Sequence, residues 1–478
     1  MLSKAPFFFM LNNKTRLTRI LLSLLISFNL LNAPVLAVNV DAQIKLKATI
    51  NFDEHFISIA QRKDSKAAEQ AIKIIENNWH TGLVPMALET ISYTWTSPHR
   101  PALVELLRKE TADAGVFGTQ DWYQWLWNNS DFIADPSYHN FKAKFYKSID
   151  SKFEKYFKNR EKLTDIRLDE IQWGGVGQDE IPPLRNPTMI SAKNATYLDD
   201  DNIIFGIEIN GDVRAYPKRI LAWHELFSDQ IGGVDITGVY CTLCGTIIPY
   251  KTNIEGKNYR LGTSGFLYRS NKLMYDEGTQ SLWSTTRGIP VLGPLVNQGI
   301  ELEFESVVTS TWGEWKKRHP NTTVLSLSTG HDRDYGEGVA YNHYFGIDAL
   351  MFRTPFNDNR LKNKREILAL RFPAAPNQQL AIDTEYLNKN PLYINRIGAQ
   401  KFIVLTDSSG ANRVYDPKEI KFTEYDGDST VTDDQGRKWT LDESSLVTKD
   451  GETLNRLPYH RAFWFGWRAA FPETKLVK

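Results

Sequence analysis

Apolar residues recur every three or four positions through the first third of the chain, and alternation with polar residues replaces that rhythm afterwards. Asp64-Ser65 can cap a helix with Ala68, Ile72, Ile75 and Trp79 on one face. Pro85 opens a second helix, with Val84, Leu88 and Ile91 on one side, and Pro101 a third, with Leu103, Leu106 and Leu107. Proline suits a first helical position because its missing N–H is not needed there. Aromatic segments at Trp122 to Trp127 and Phe141 to Phe157 continue the pattern. Short helices at this spacing predict an α-helical, HEAT-like domain over residues 38–165. Arrays of that kind scaffold or bind, so this part is expected to meet a protein partner and to carry no catalysis.

The period changes near residue 166. Gly174-Gly175, Gly177 and Pro182-Pro183 punctuate a loop, and β-type patterning follows. Ile203 to Ile209, Asn210-Gly211 and Val213 to Tyr216 predict a hairpin, since Asn-Gly supplies the positive φ of a tight turn. Pro217 opens a predicted helix to about Asp229. Strands are expected at Val234 to Tyr240, Thr246 to Thr252, Leu282 to Thr286 and Glu301 to Val308, and a short helix at Thr311 to His319. The whole is therefore expected to be α+β, a helical domain followed by a β-rich one.

The β-rich part repeats itself. Trp312-x-x-Trp315 followed by Pro320-x-Thr322-x-Val324 matches Trp464-x-x-Trp467 followed by Pro472-x-Thr474-x-Leu476. Upstream, Ala215, Leu221, Ile231 and Gly232 align at one offset with Ala381, Leu387, Ile397 and Gly398, and Trp283 has a partner in Trp439. Two degenerate tandem copies are expected, residues 166–335 and 336–478. At that offset Cys241 falls opposite Asp407, Cys244 opposite Gly410 and His224 opposite Asn390. The second copy keeps packing markers and lacks sulfur, so the first should carry the chemistry.

The N-terminus reads as a secretory signal, which predicts a location outside the cytoplasm. Lys14, Arg16 and Arg19 precede an apolar run from Ile20 to Leu31, and Ala33-Pro34-Val35-Leu36-Ala37 offers a small-residue cleavage site. Residues 1–37 are expected to be a signal peptide, with a periplasmic or secreted product and no membrane span after its removal. Lysine plus arginine equals aspartate plus glutamate, 57 against 57. A balanced chain without a basic run gives no pull on nucleic acid.

The sequence contains two cysteines, Cys241 and Cys244 in Cys-Thr-Leu-Cys-Gly. Two thiolates at this spacing can chelate one ion from a tight turn, with Gly245 free to take positive φ. His224 is the best third ligand, set inward by Ile220 and Phe227, and Met274 could add a thioether that favours copper over zinc. Arg214 and Tyr216 share a strand face and could shape such a site, whereas His331 and His343 stand in a charged loop-like region. The alternative is a thiol–disulfide redox couple. Its usual activation is missing, because Thr246-Ile247-Ile248-Pro249-Tyr250 is a poor helix and gives no helix N-terminus at the thiols. A third alternative is a non-catalytic scaffold with a structural staple. His224-Glu225 lacks the spacing of a zinc deaminase site, Asp199-Asp200-Asp201 lacks a calcium-loop pattern, and no phosphate-binding loop occurs. No enzyme class follows from these patterns.

Several stretches together resemble the bacterial domain-of-unknown-function 3179 family. They include Ile166-Arg-Leu-Asp-Glu-Ile, Trp173-Gly-Gly-Val, Gly211-Asp-Val-Arg-Ala-Tyr-Pro, His224-Glu and Tyr240-Cys-Thr-Leu-Cys-Gly-Thr. Ser264-Gly-Phe-Leu-Tyr, Leu273-Met-Tyr-Asp, Ser281-Leu-Trp-Ser and Trp312-Gly-Glu-Trp continue the likeness through roughly residues 165 to 478. The resemblance implies an exported bacterial protein and no particular activity. Thr242 stands where proline is frequent in that family, a change in turn stiffness that leaves both sulfurs in place.

Overall fold

Among the described residues the helical rhythm becomes six α-helices of ten to thirteen residues and a four-residue one between Phe52 and Phe157. A computed structural model describes residues 50–61, 65–94, 97–112, 118–160 and 162–478; the expected signal peptide lies outside them. Val84, Leu88 and Ile91 are buried on Val84–Tyr93, and Leu103, Leu106 and Leu107 on Arg100–Glu110. In one respect the region differs from a stacked array, where each unit touches only its neighbours. Its first helix, Phe52–Gln61, packs on a late one, Tyr138–Lys147: Phe56 meets Phe141 edge-on at 6.0 Å, and Lys144 pairs with Asp53 at 2.8 Å. The helices thus close on themselves. A buried ion pair, Glu89 with Lys142, ties them to the β-rich part, because Lys142 also donates to the Ile171 carbonyl at 3.2 Å. Among the described residues, no helix is long and apolar enough to cross a membrane.

The predicted hairpin forms as Ile203–Ile209 and Asp212–Pro217, with Asn210 at φ 52° and Gly211 at φ 83° in the turn. It is the centre of a five-stranded sheet. Val308–Thr311 pairs with its first strand, Thr323–Leu325 runs parallel to its second, and Met189–Ser191 closes the far edge. The Trp315 ring lies on Gly206, where a Cβ would overlap it. Two expectations fail here. The helix after Pro217 ends at His224, because Glu225 turns left-handed at φ 55°, and Leu226–Ile231 is a strand. Residues 301–307 make one isolated bridge, Phe304 with Tyr250, in place of a strand.

Residues 366–477 show the same succession. Glu366–Arg371 and Gln379–Asp383 form the central pair, flanked by His460–Phe463 and by the parallel Lys475–Val477. The pairing at these positions is alike: Ala215 lies beside Val324, and Ala381 beside Leu476. The indole of Trp315 donates to Thr322 and that of Trp467 to Thr474, at 3.1 and 2.8 Å. Trp283 donates to Asp276 as Trp439 does to Asp433. After each central pair comes a short helix, then three antiparallel strands: Leu226–Ile231, Val234–Cys241 and Thr246–Lys251 in one half, Leu392–Ile397, Gln400–Thr406 and Asn412–Tyr415 in the other. The turn between the last two strands of each set is the place to look for chemistry.

Candidate functional site

Cys241 ends one strand, Thr246 begins the next, and the turn brings the two cysteines to a Cα separation of 5.3 Å with their sulfurs bonded to each other. The Cys244 N–H donates to the Cys241 carbonyl at 3.1 Å. Gly245 takes φ 58°, and any Cβ there would press into the Phe463 ring at 2.7 Å. The end of the second half seals this side. The Phe463 N–H donates to the Cys244 carbonyl at 2.7 Å, and Gly466 sits so close that a side chain would meet the Cys244 Cβ at 3.1 Å.

The opposite side is covered by residues 326–365, whose regular structure is one five-residue helix, Asn342–Gly346. Tyr344 packs on Cys241, Cys244, Leu243 and Leu267, with Phe345 and Phe352 beside it, and its hydroxyl donates to the Leu243 carbonyl at 2.8 Å. The Ser270 hydroxyl holds the Phe352 carbonyl at 3.3 Å. Beneath this cover the sulfurs are buried and the Thr242 hydroxyl has no hydrogen-bond partner. Two cations lie on the rings of the cover: Lys364, from its own end, 3.3 Å from the centre of the Tyr344 ring, and Lys218, from the first half, 4.2 Å from that of Phe345. Burial lowers both ammonium groups, Lys364 to about 8. Glu225 and Lys272 form a buried ion pair at 2.8 Å, and the Tyr341 hydroxyl reaches the same carboxylate at 3.4 Å.

The remaining expected site residues are occupied elsewhere. His224 is fully buried, as its helical spacing required. Its Nδ1 faces the Pro182 carbonyl at 2.8 Å, so that nitrogen carries the proton, and Nε2 accepts from the Tyr335 hydroxyl at 2.6 Å. Burial pushes its pKa down to about 4. Met274 packs in a different core, with Trp283 and Tyr250. Arg214 and Tyr216 both donate to one Asp229 oxygen, each at 2.7 Å, which makes them a structural set. His331 lies over His224 at 5.1 Å between ring centres, and His343 is exposed. The copper or zinc chelate is thus not what the geometry assembles. A disulfide sulfur is no thiolate donor, both His224 nitrogens are committed, and the described residues hold no group of three ligating side chains.

The family model described as a protein of unknown function, DUF3179, matches residues 178–474. The chain belongs to the DUF3179 family. No curated protein and no solved structure matches it. In this DUF3179 chain the turn at the corresponding place of residues 366–477 holds no sulfur and is one residue tighter, Asp407 to Ala411 against Cys241 to Thr246. Asp407 replaces Cys241, and its Oδ1 accepts from the Ser409 and Ala411 N–H groups, both at 3.0 Å, while the Gly410 N–H donates to the Asp407 carbonyl at 2.8 Å. Its other oxygen meets the buried Arg413 guanidinium at 2.8 Å, and Arg413 also pairs with Glu443. Neither this network nor the cover was read from sequence. The cluster Tyr341-x-x-Tyr344-Phe345 inside a long stretch without regular patterning is the signal that could have found the cover.

Proposed function

We propose that this DUF3179 protein is an exported thiol–disulfide exchange protein, with Cys241–Cys244 as its redox couple and residues 326–365 as the cover that controls access. The observation that carries the reading is the Asp407 turn. The second half, read as a divergent copy of the first, turns at the matching place with a carboxylate, in a bend one residue tighter (Asp407 to Ala411 against Cys241 to Thr246), so a hairpin here does not need sulfur. Nor is a four-residue loop worth much as a staple: chain entropy extrapolates to about 2 kcal/mol.

In the reaction, a substrate thiolate attacks the Cys241 sulfur once the cover has moved. The S–S bond breaks, a mixed disulfide forms, and Cys244 leaves as thiolate. A second substrate thiolate then displaces Cys241. The substrate dithiol loses two electrons and becomes a disulfide, and the cysteine pair ends reduced. Cys244 is the inner sulfur, wedged against Gly466 and the Ser270 carbonyl, which favours Cys241 as the point of attack. An oxidising compartment, in line with the N-terminal leader, keeps such a pair oxidised. The chelate reading, with copper or zinc, lacks a third donor turned to the sulfurs.

The test is covalent trapping. Cys244→Ser, reduced and then incubated with a one-cysteine peptide carried as its disulfide with a small thiol, should accumulate a mixed disulfide at Cys241 as the Cys241 thiolate displaces the small thiol. Cys241→Ser should not. Equal adducts on both variants, or none on either even after Tyr344→Ala loosens the cover, would remove the redox reading.

A further inference from the structure

The two sheets are equivalent strand for strand except at one edge. In the first half Met189–Ser191 lies antiparallel to Thr323–Leu325, with Ile190 opposite Val324 and Met189 opposite Leu325. Val324 and Leu325 are fully buried as a result. The matching strand of the second half is Lys475–Val477, with Leu476 at the position of Val324 and Val477 at that of Leu325. Among the described residues no strand pairs with its outer edge, and Leu476 and Val477 are only half-buried. An unpaired edge carries a row of backbone donors and acceptors, and it accepts another strand readily.

Lys475–Val477 lines a groove of about 810 Å³. Its walls carry Arg360, Arg396, Arg468 and Lys475 against Asp358 and Glu473. Asp358 is already shared by Arg360 and Arg468, at 2.7 and 2.9 Å. Among the described residues the exposed Arg396, Lys475 and Glu473 make no ion pair, which leaves two free positive charges against one negative. One Arg468 nitrogen, Nη1, is buried without a hydrogen-bond partner. The groove therefore has uncommitted positive charge beside a backbone edge and two half-covered apolar side chains. A second copy of this chain would bring like charge to it.

We propose that the Lys475–Val477 edge is a strand-addition site for an extended acidic segment of another protein. The segment runs antiparallel to Lys475–Val477, as Met189–Ser191 does in the other half. The segment's apolar side chains, on one face, cover Leu476, and its carboxylates, on the other face, meet Arg396 and Lys475 on the side of the sheet that carries Val477. This site is separate from the cysteine turn and does not depend on the redox reading.

The experiment uses the full chain and a fluorescent peptide of about ten residues, the upper length of a typical strand, alternating glutamate and valine. Two controls replace its glutamates by lysine or methylate alternate backbone amides. Saturable binding of the acidic peptide is expected, at least about ten-fold tighter than for either control. The exposed substitutions R396E and K475E together should abolish that preference at unchanged melting temperature. Equal binding of acidic and basic peptides, indifference to amide methylation, indifference to the charge reversals, or no binding of the acidic peptide would each overturn the proposal.

Discussion

Reduction of Cys241–Cys244 should destabilise the protein far less than Asp407→Ala, although the two act at matching turns. The disulfide closes a loop with a sequence separation of 3. Extrapolated to so short a loop, the chain-entropy relation gives about 2 kcal/mol. Asp407 is a different case. Its side chain and that of Arg413 are each 1% exposed, and they pair at 2.8 Å. Alanine at 407 leaves the Arg413 guanidinium half-compensated by Glu443 and strands the Ser409 and Ala411 N–H groups. Removing one member of a buried ion pair costs about 3–5 kcal/mol. The assay is urea unfolding followed by tryptophan fluorescence. It compares the oxidised protein, the same protein in excess phosphine reductant, and Asp407→Ala without reductant. A midpoint shift at least about twice as large for Asp407→Ala is expected from these magnitudes. Should reduction cost as much as Asp407→Ala, the sulfurs are structural, and the argument for their redox role fails with them.

Tyr344→Ala removes the ring and the hydroxyl that lie over Leu243 and the sulfurs. Reduction of the disulfide by dithiothreitol should accelerate by about ten-fold or more, the factor that corresponds to roughly 1.4 kcal/mol of lost cover, while an unchanged rate would mean that the cover does not control access. His224 is held neutral by folding, with its pKa at about 4 against about 6.5 when unfolded. The unfolded chain takes up that proton first, so the contribution of His224 is intact above pH 7 and is withdrawn as pH falls from 6.5 towards 4. Over that window the loss is about 3 kcal/mol at most, and His224→Asn should flatten the pH dependence of the urea midpoint by that amount; an equal slope in both proteins would contradict the assignment. Lys142→Ala should cost about 3–5 kcal/mol by leaving the Glu89 carboxylate buried and unpaired. Glu89→Gln combined with Lys142→Met should recover most of it in thermal melts, and a double variant no better than the single one would speak against a buried-charge cause.

The elements that sequence patterning placed well are those with strong local signals. Asn210-Gly211 demanded a tight turn, and the hairpin formed around it. The two Trp-x-x-Trp motifs carry the same packing in both halves, because each indole meets a threonine seven residues on. Errors arose where tertiary contacts decide. The helix predicted to reach Asp229 stops at His224, since Glu225 leaves helical φ to pair with Lys272 from a distant strand. The alternation in Glu301 to Val308 suits a strand, but only Phe304 finds a bridge. At the site, the spacing of Cys241 and Cys244 told that the sulfurs could meet. It could not tell whether they would hold a third atom or each other. His224 was legible as an inward residue, whereas its partners Pro182 and Tyr335 lie 42 and 111 positions away, beyond the reach of periodicity.

The cover over the disulfide and the vacant sheet edge have one origin. In the first half, Met189–Ser191 precedes the hairpin by a short connection and fills the edge beside Thr323–Leu325. In the second half, the chain before the corresponding strand pair is residues 326–365, and it runs over the cysteine turn before entering Glu366–Arg371. A segment whose Tyr344 and Phe352 are fixed at Leu243 and Ser270 cannot also supply a strand at Lys475–Val477. The first half gains a closed sulfur site, and the second is left one strand short. The two consequences are nonetheless mechanically separate, because the residues over the sulfurs, Tyr344 and Phe352, are held by the first half, whereas the groove end of the same segment is held by the second, with Asp358 paired to Arg468 and accepting from the Trp464 indole. Loosening the cover with Tyr344→Ala should therefore speed reduction and leave binding of the acidic peptide unchanged. If it altered both, the two sites would be coupled through residues 346–358, the stretch that joins them.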